Sequence, residues 1–112
     1  MKPISAGDVV VVGYFGHAEN KSVGEPRWVI ITEDLQDEFE VVPMTKQLQQ
    51  KSRYPKSFVV DSNSPDGIKM GLEYPSLIIP DRKAIIKKIA FTKCYVKGKC
   101  SEFFLDDLIN LL

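Results

Sequence analysis

Two short apolar runs, residues 28–31 and 39–42, flank an acidic connection, Glu33-Asp34-Leu35-Gln36-Asp37-Glu38, and this pairing constrains the chain more than any other feature. The runs are short and rich in β-branched and aromatic residues, while the connection favours a solvated turn, so an antiparallel hairpin is predicted. Each run carries a polar residue at its outer end, Arg27 before the first and Thr45 after the second. Antiparallel pairing sets the start of one strand beside the end of the other, so Arg27 and Thr45 are expected at one edge of the sheet. A guanidinium and a hydroxyl converging there have the donors to hold a phosphate.

The remaining chain reads as further short strands. Gly7-Asp8 opens a continuous valine run, residues 9–12, expected to be a strand buried on both faces. Residues 17–25 are polar or small and are expected to form a loop that leads to Arg27. His17, the single histidine, opens this loop; it is a candidate proton-transfer group, against the alternative of an exposed loop histidine with no role. Residues 46–53 are expected to be a surface loop rather than a helix, residues 57–61 a strand, and residues 62–67 a tight turn with positive φ at Gly67. Lys46, Lys51, Arg53 and Lys56 surround Tyr54, a basic segment with an aromatic able to stack on an unpaired base, or else a solvated loop with a packed tyrosine.

Residues 77–79 form another apolar run, and residues 84–96 read as a half-exposed strand with a break or bulge. Lys97-Gly98-Lys99 is expected to turn the chain into a carboxyl-terminal helix capped by Ser101, with Phe104, Leu105, Leu108, Ile109 and Leu112 as its apolar face. Phe103 and Leu111 widen that face, which favours burial against a second copy or a partner.

A chain of 112 residues is expected to be a single domain spanning residues 1–112, small enough to gain from pairing with a second copy. The formal net charge of zero hides a segregation: residues 1–45 carry three Lys/Arg against eight Asp/Glu, and residues 46–100 carry twelve against four. A basic middle suits an anionic ligand on one face and acidic flanks a basic partner on another, although a mixed solvated surface fits the same numbers. Cys94 and Cys100 match neither a zinc ribbon nor a redox CxxC and read as reduced thiols. Neither a secretory leader nor an apolar stretch of membrane-spanning length is evident, so a cytoplasmic protein without membrane contact is expected. The sequence holds no GxGxxG, Walker, HExxH or GxSxG pattern, so nucleotide-dependent and zinc-hydrolase chemistry receive no support.

The order of these features resembles the MazF/PemK/Kid family of toxins from bacterial toxin-antitoxin pairs. The resemblance rests on Gly7-Asp8 before the valine strand, the loop beginning Gly16-His17, Pro26-Arg27-Trp28-Val29-Ile30-Ile31, and Val42-Pro43-Met44-Thr45, which is like that family's VPxT. Further along it rests on Tyr54-Pro55, on residues 77–81 before a basic strand, and on Lys97-Gly98-Lys99-Cys100-Ser101 leading into the last helix. The resemblance implies a mainly β fold, a small, strongly curved β-barrel with a C-terminal α-helix, commonly a homodimer. It implies a metal-independent endoribonuclease that cuts single-stranded mRNA without a cofactor and is neutralised by a cognate antitoxin. Arg27 would then stabilise the charged phosphorane, Thr45 would bind a phosphate oxygen, and His17 would match a loop histidine of some members. Lys46, Arg53, Tyr54, Lys56, Asp81 and Arg82 would contact RNA. Here Pro26 precedes Arg27, the reverse of the family's usual order, so strand register decides which face Arg27 occupies. Two other readings use the same residues: a non-catalytic barrel that binds a protein, in the manner of CcdB toxins, and a nucleic-acid-binding module without cleavage.

Overall fold

The computed structural model describes residues 3–12 and 27–112. Within them the expected hairpin is the centre of the molecule. Strand β2 runs Arg27–Asp34 and β3 runs Glu38–Thr45, paired antiparallel with Ile30 opposite Val42 and Trp28 opposite Met44. Both strands outrun their apolar cores because the polar ends also find partners. Thr32 Oγ1 donates to the Glu40 backbone carbonyl (3.0 Å) and to its carboxylate (2.8 Å), and the reversal closes with Gln36 in the left-handed region at φ 77°.

Strand β1, Asp8–Val12, lies on the other side of β2, and β7, Cys94–Lys99, lies beyond it. On the far side of β3 stand β5, Ser76–Ile78, and then β4, Phe58–Val60; β6, Ala84–Lys87, pairs with β3 further down its length. Every pairing is antiparallel, and the order is β4-β5-β3-β2-β1-β7.

Alternation along the strands sends side chains to two cores. Val9, Ile30, Val42, Met44, Ile78 and Leu108 meet on one face; Val10, Val12, Val29, Ile31, Phe39, Val41 and Phe91 meet on the other. The valine strand is therefore buried on both faces, as its continuous apolar run predicts. The first face is covered by helix α2, Glu102–Asn110, whose cap is the expected one: Ser101 Oγ accepts from the Phe104 amide at 3.1 Å. The second face is covered by β6 and by a 3-10 turn, Lys88–Phe91, which sets Phe91 edge-on to Phe39 with centroids 5.2 Å apart.

Several expectations are corrected. A closed barrel is not formed by hydrogen bonding among the described residues, since the path of strands ends at β4 on one side and β7 on the other. The gap between these edges is spanned instead by helix α1, Pro65–Met70, in the segment expected to be a tight turn. Ser64 caps that helix by accepting from Gly67 N at 3.0 Å, with Pro65 at the first helical position, so Gly67 lies inside a helix and the left-handed residue is Gly71 at its end, φ 73°. Lys97-Gly98-Lys99 is not a turn but the end of β7, reached through a register shift opposite Val9/Val10. A Cβ on Gly98 would run into the Lys69 carbonyl, and one on Gly71 into the Lys97 carbonyl. The two glycines thus let the end of α1 lie backbone to backbone against β7. Residues 46–53 contain a 3-10 helix, Leu48–Arg53, that buries none of its residues. The break after β6 is a full 3-10 turn rather than a bulge. On α2, Ile109 is 43% exposed and Phe103 84%, so the buried face is narrower than expected: Leu108 with the flanking Phe104, Leu105 and Leu112. No helix among the described residues is long and apolar enough to cross a membrane.

Candidate functional site

The site begins where β2 starts and β3 ends. Trp28 packs against the first core and Val29 lies in the second, so alternation assigns Arg27 to the second face. Met44 belongs to the first core and Val41 to the second, which assigns Thr45 to the second face as well. Continuing the register one step past Trp28–Met44 sets Arg27 directly across from Thr45, with Cα atoms about 5 Å apart for such a pair. By this alternation Arg27 and Thr45 fall on the same face of the sheet. Arg27 is exposed and Thr45 half-buried. Thr45 Oγ1 accepts from the Gln47 amide at 3.1 Å, which orients the hydroxyl and keeps its proton for donation.

Thr45 also pairs with Leu77 of β5, and the Ile79 amide donates to the Pro43 carbonyl at 3.0 Å. The chain then leaves β5 in a 3-10 turn, Pro80–Arg82, beginning three residues past Leu77, the partner of Thr45, roughly 10 Å along the strand at that rise. Against this turn lies the segment that precedes β4. The Asp81 carboxylate accepts from the Lys56 backbone amide at 3.1 Å, and Arg82 Nη1 donates to the Tyr54 hydroxyl at 3.3 Å. Four of the six residues expected to contact RNA, Tyr54, Lys56, Asp81 and Arg82, therefore form one cluster. Ser57 supports it from beneath: buried, its hydroxyl donates to the Tyr54 carbonyl at 2.7 Å.

The other two assignments fall differently. Arg53 ends the Leu48–Arg53 helix and is exposed, near the cluster in sequence but with no hydrogen bond to it. Lys46 follows Thr45 and so takes the opposite face, where its ammonium lies over the Tyr74 ring at 4.8 Å. His17 lies outside the described residues. Among the described residues no three His, Cys, Asp or Glu side chains gather in a metal-binding arrangement.

Two features had no signal in the sequence. One is the use of Asp81 as an acceptor for Lys56 N, a contact across twenty-five positions. The other is the Glu73–Lys97 ion pair at 2.8 Å, with the same ammonium 5.4 Å from the Trp28 ring centroid. Neither cysteine is bonded to the other. Burial pushes the Cys100 thiol up to about 12 and raises that of half-buried Cys94.

The register puts Arg27 opposite the oriented Thr45 hydroxyl, and a second guanidinium, of Arg82, pairs with the Tyr54 phenol where the turn after β5 meets the segment before β4. Such a set can bind a polyanion through charge-assisted hydrogen bonds and stabilise charge that develops on a phosphate. Comparison with models of known protein families and with curated protein sequences gives no match.

Proposed function

We propose that this chain is a metal-independent endoribonuclease of the MazF/PemK/Kid type, the toxin of a toxin-antitoxin pair, acting on single-stranded mRNA in the cytoplasm. The reading is supported by the pairing of Trp28 with Met44, a register that, continued by one residue, puts Arg27 opposite Thr45 on one face of the sheet. The antiparallel sheet with its carboxyl-terminal helix is read as an opened form of the family's curved barrel, with α1 bridging its edge strands. A homodimer is part of the proposal, supported by the exposed Phe103 and Ile109 on α2.

In this reaction the ribose 2′-oxygen gives up its proton and attacks the neighbouring phosphorus, the P–O5′ bond breaks, and a proton reaches O5′. The products are a 2′,3′-cyclic phosphate and a 5′-hydroxyl. Arg27 neutralises the charge that grows on the non-bridging oxygens, a fixed cation needing no reorganisation as the charge appears. Thr45 donates its hydroxyl proton to one of those oxygens. His17 is assigned the proton transfers, its ordinary pKa near 6.5 suiting it to both directions at neutral pH. The antitoxin would cover this face, and an acidic segment would complement Arg27 and Arg82.

The test incubates the purified chain with single-stranded RNA in excess EDTA and determines the chemistry of any new ends. Cyclic phosphate and 5′-hydroxyl ends, lost in Arg27→Ala and Thr45→Ala, are expected. RNA left intact by the wild-type chain counts against the ribonuclease and leaves a binding module as the better reading.

A further inference from the structure

Arg27 and Thr45 each precede a residue that is held from the opposite face. Trp28 follows Arg27 and Lys46 follows Thr45, and alternation turns both to the first face. The Lys97 ammonium lies 2.8 Å from the Glu73 carboxylate and 5.4 Å from the Trp28 ring centroid, and the Lys46 ammonium lies 4.8 Å from the Tyr74 ring centroid. Glu73 and Tyr74 are adjacent, so one short segment reaches both strand ends, directly through Tyr74 and by way of Lys97 through Glu73. We infer that Glu73 and Tyr74 are positioning residues, a clamp on the first face that fixes the strand ends presenting Arg27 and Thr45 on the second. This rests on the roles given to Arg27 and Thr45 in the proposed reaction.

Three features of the chain bring the clamp into place. Gly71, at φ 73°, ends α1 and sets the chain against β7, where a side chain would strike the Lys97 carbonyl. Leu72 then enters the first core, and Glu73 and Tyr74 stay at the surface. Buried Ser76 donates its hydroxyl to the Tyr74 carbonyl at 3.0 Å, and the strand it opens, β5, pairs Leu77 with Thr45. Tyr74 is therefore tied to the end of β3 by the β5 ladder as well as by its ring. On the other side β7 carries an extra residue: Val96 pairs with Val10 and Gly98 with Val9, and Lys97 falls between them. Such a bulge redirects a side chain, and here Lys97 reaches past β1 to a residue of β2.

Contacts of this kind supply orientation more than stability. An exposed ion pair and an exposed cation over a ring add little to folding. A reacting group displaced by about 1 Å, in contrast, costs up to about 10²-fold in rate. A merely structural role thus loses stability and rate together, and a positioning role loses rate alone.

The experiment measures kcat and KM for cleavage of single-stranded RNA by the full chain in EDTA, with the melting temperature of each variant alongside. Glu73→Ala and Tyr74→Ala are each expected to lower kcat about tenfold, inside the range a misplaced group costs. KM is expected to stay within about twofold of wild type, and Tm within about 4 °C, as loss of a surface contact allows. Tyr74→Phe keeps a ring face for Lys46 and should retain the wild-type rate. Glu73→Ala on an Arg27→Ala chain, and Tyr74→Ala on a Thr45→Ala chain, should each cost less than about twofold further, because groups acting as one unit are not additive. Fully additive losses in those pairs, rate losses that track Tm, a Tyr74→Phe chain as slow as Tyr74→Ala, or wild-type rates in both alanine variants overturns the clamp and leaves the ribonuclease standing. RNA left intact by the wild-type chain, or cut equally by wild type and Arg27→Ala, overturns the ribonuclease reading and the clamp with it.

Discussion

Gly98→Ala tests whether the seam between α1 and β7 holds the sheet's two ends together. The added Cβ would sit 2.7 Å from the Met70 carbonyl oxygen and closer still to the Lys69 carbonyl, and both are backbone atoms that cannot rotate away. The end of α1 must therefore move off β7. Forcing a methyl into close-packed backbone costs about 3 kcal/mol, the upper part of the overpacking range. Alanine returns roughly 0.5–1 kcal/mol by restricting the unfolded chain. The net loss is about 2 kcal/mol, which for a domain of this size lowers Tm by roughly 8 °C. Thermal unfolding followed by circular dichroism measures it, and Trp28, the single tryptophan, reports the seam directly because the Lys97 ammonium lies 5.4 Å from its ring centroid. A variant that melts within about 2 °C of wild type, with unchanged tryptophan emission, refutes the close approach.

Leu108→Ala removes the fully buried anchor of α2 and is expected to cost about 2–5 kcal/mol in urea unfolding. Ser101→Ala deletes the acceptor for Phe104 N and should cost about 1 kcal/mol. The Lys88 ammonium, 2.7 Å from Asp34, holds that carboxyl below its ordinary value together with the Gln36 amide, so the pairing is present above the unfolded pKa near 3.8 and lost as pH falls through the lower folded value. Lys88→Gln is expected to raise the Asp34 midpoint in an NMR titration. For Cys100 the sign is reversed: a thiol raised from 9.0 to about 12 stays protonated in the fold, so stability declines as pH rises from 9 through 12, and Cys100→Ala flattens that decline.

What the sequence revealed and what it concealed divide along range of interaction. The hairpin was legible because its two β-branched and aromatic runs and the acidic turn between them are local signals. Ser101 was legible as a cap for the same reason. Helix α1 was not, although Ser64-Pro65 is a cap followed by a first-turn proline, because Asp66-Gly67 carries an equally strong turn signal and only Ile68 and Met70 mark an apolar face. Lys97-Gly98-Lys99 looks like a turn locally; what keeps it extended is the backbone of Lys69 and Met70, far away in sequence. Ile109 has helical spacing for burial, but α2 buries only the face that Leu108 centres. The Asp81–Lys56 contact has no local signature at all, since a carboxylate bound to a distant backbone amide depends on how two turns meet.

The central claim is that Arg27 stabilises a cleaving phosphate. Single-turnover cleavage of single-stranded RNA in EDTA, compared for wild type, Arg27→Lys and Arg27→Ala, measures it most directly. The account predicts a rate about 10²–10³ lower for Arg27→Ala, the usual cost of removing a donor to developing charge, with Arg27→Lys recovering only part because a point charge does not replace the planar fork. Equal cleavage by wild type and Arg27→Ala would contradict it.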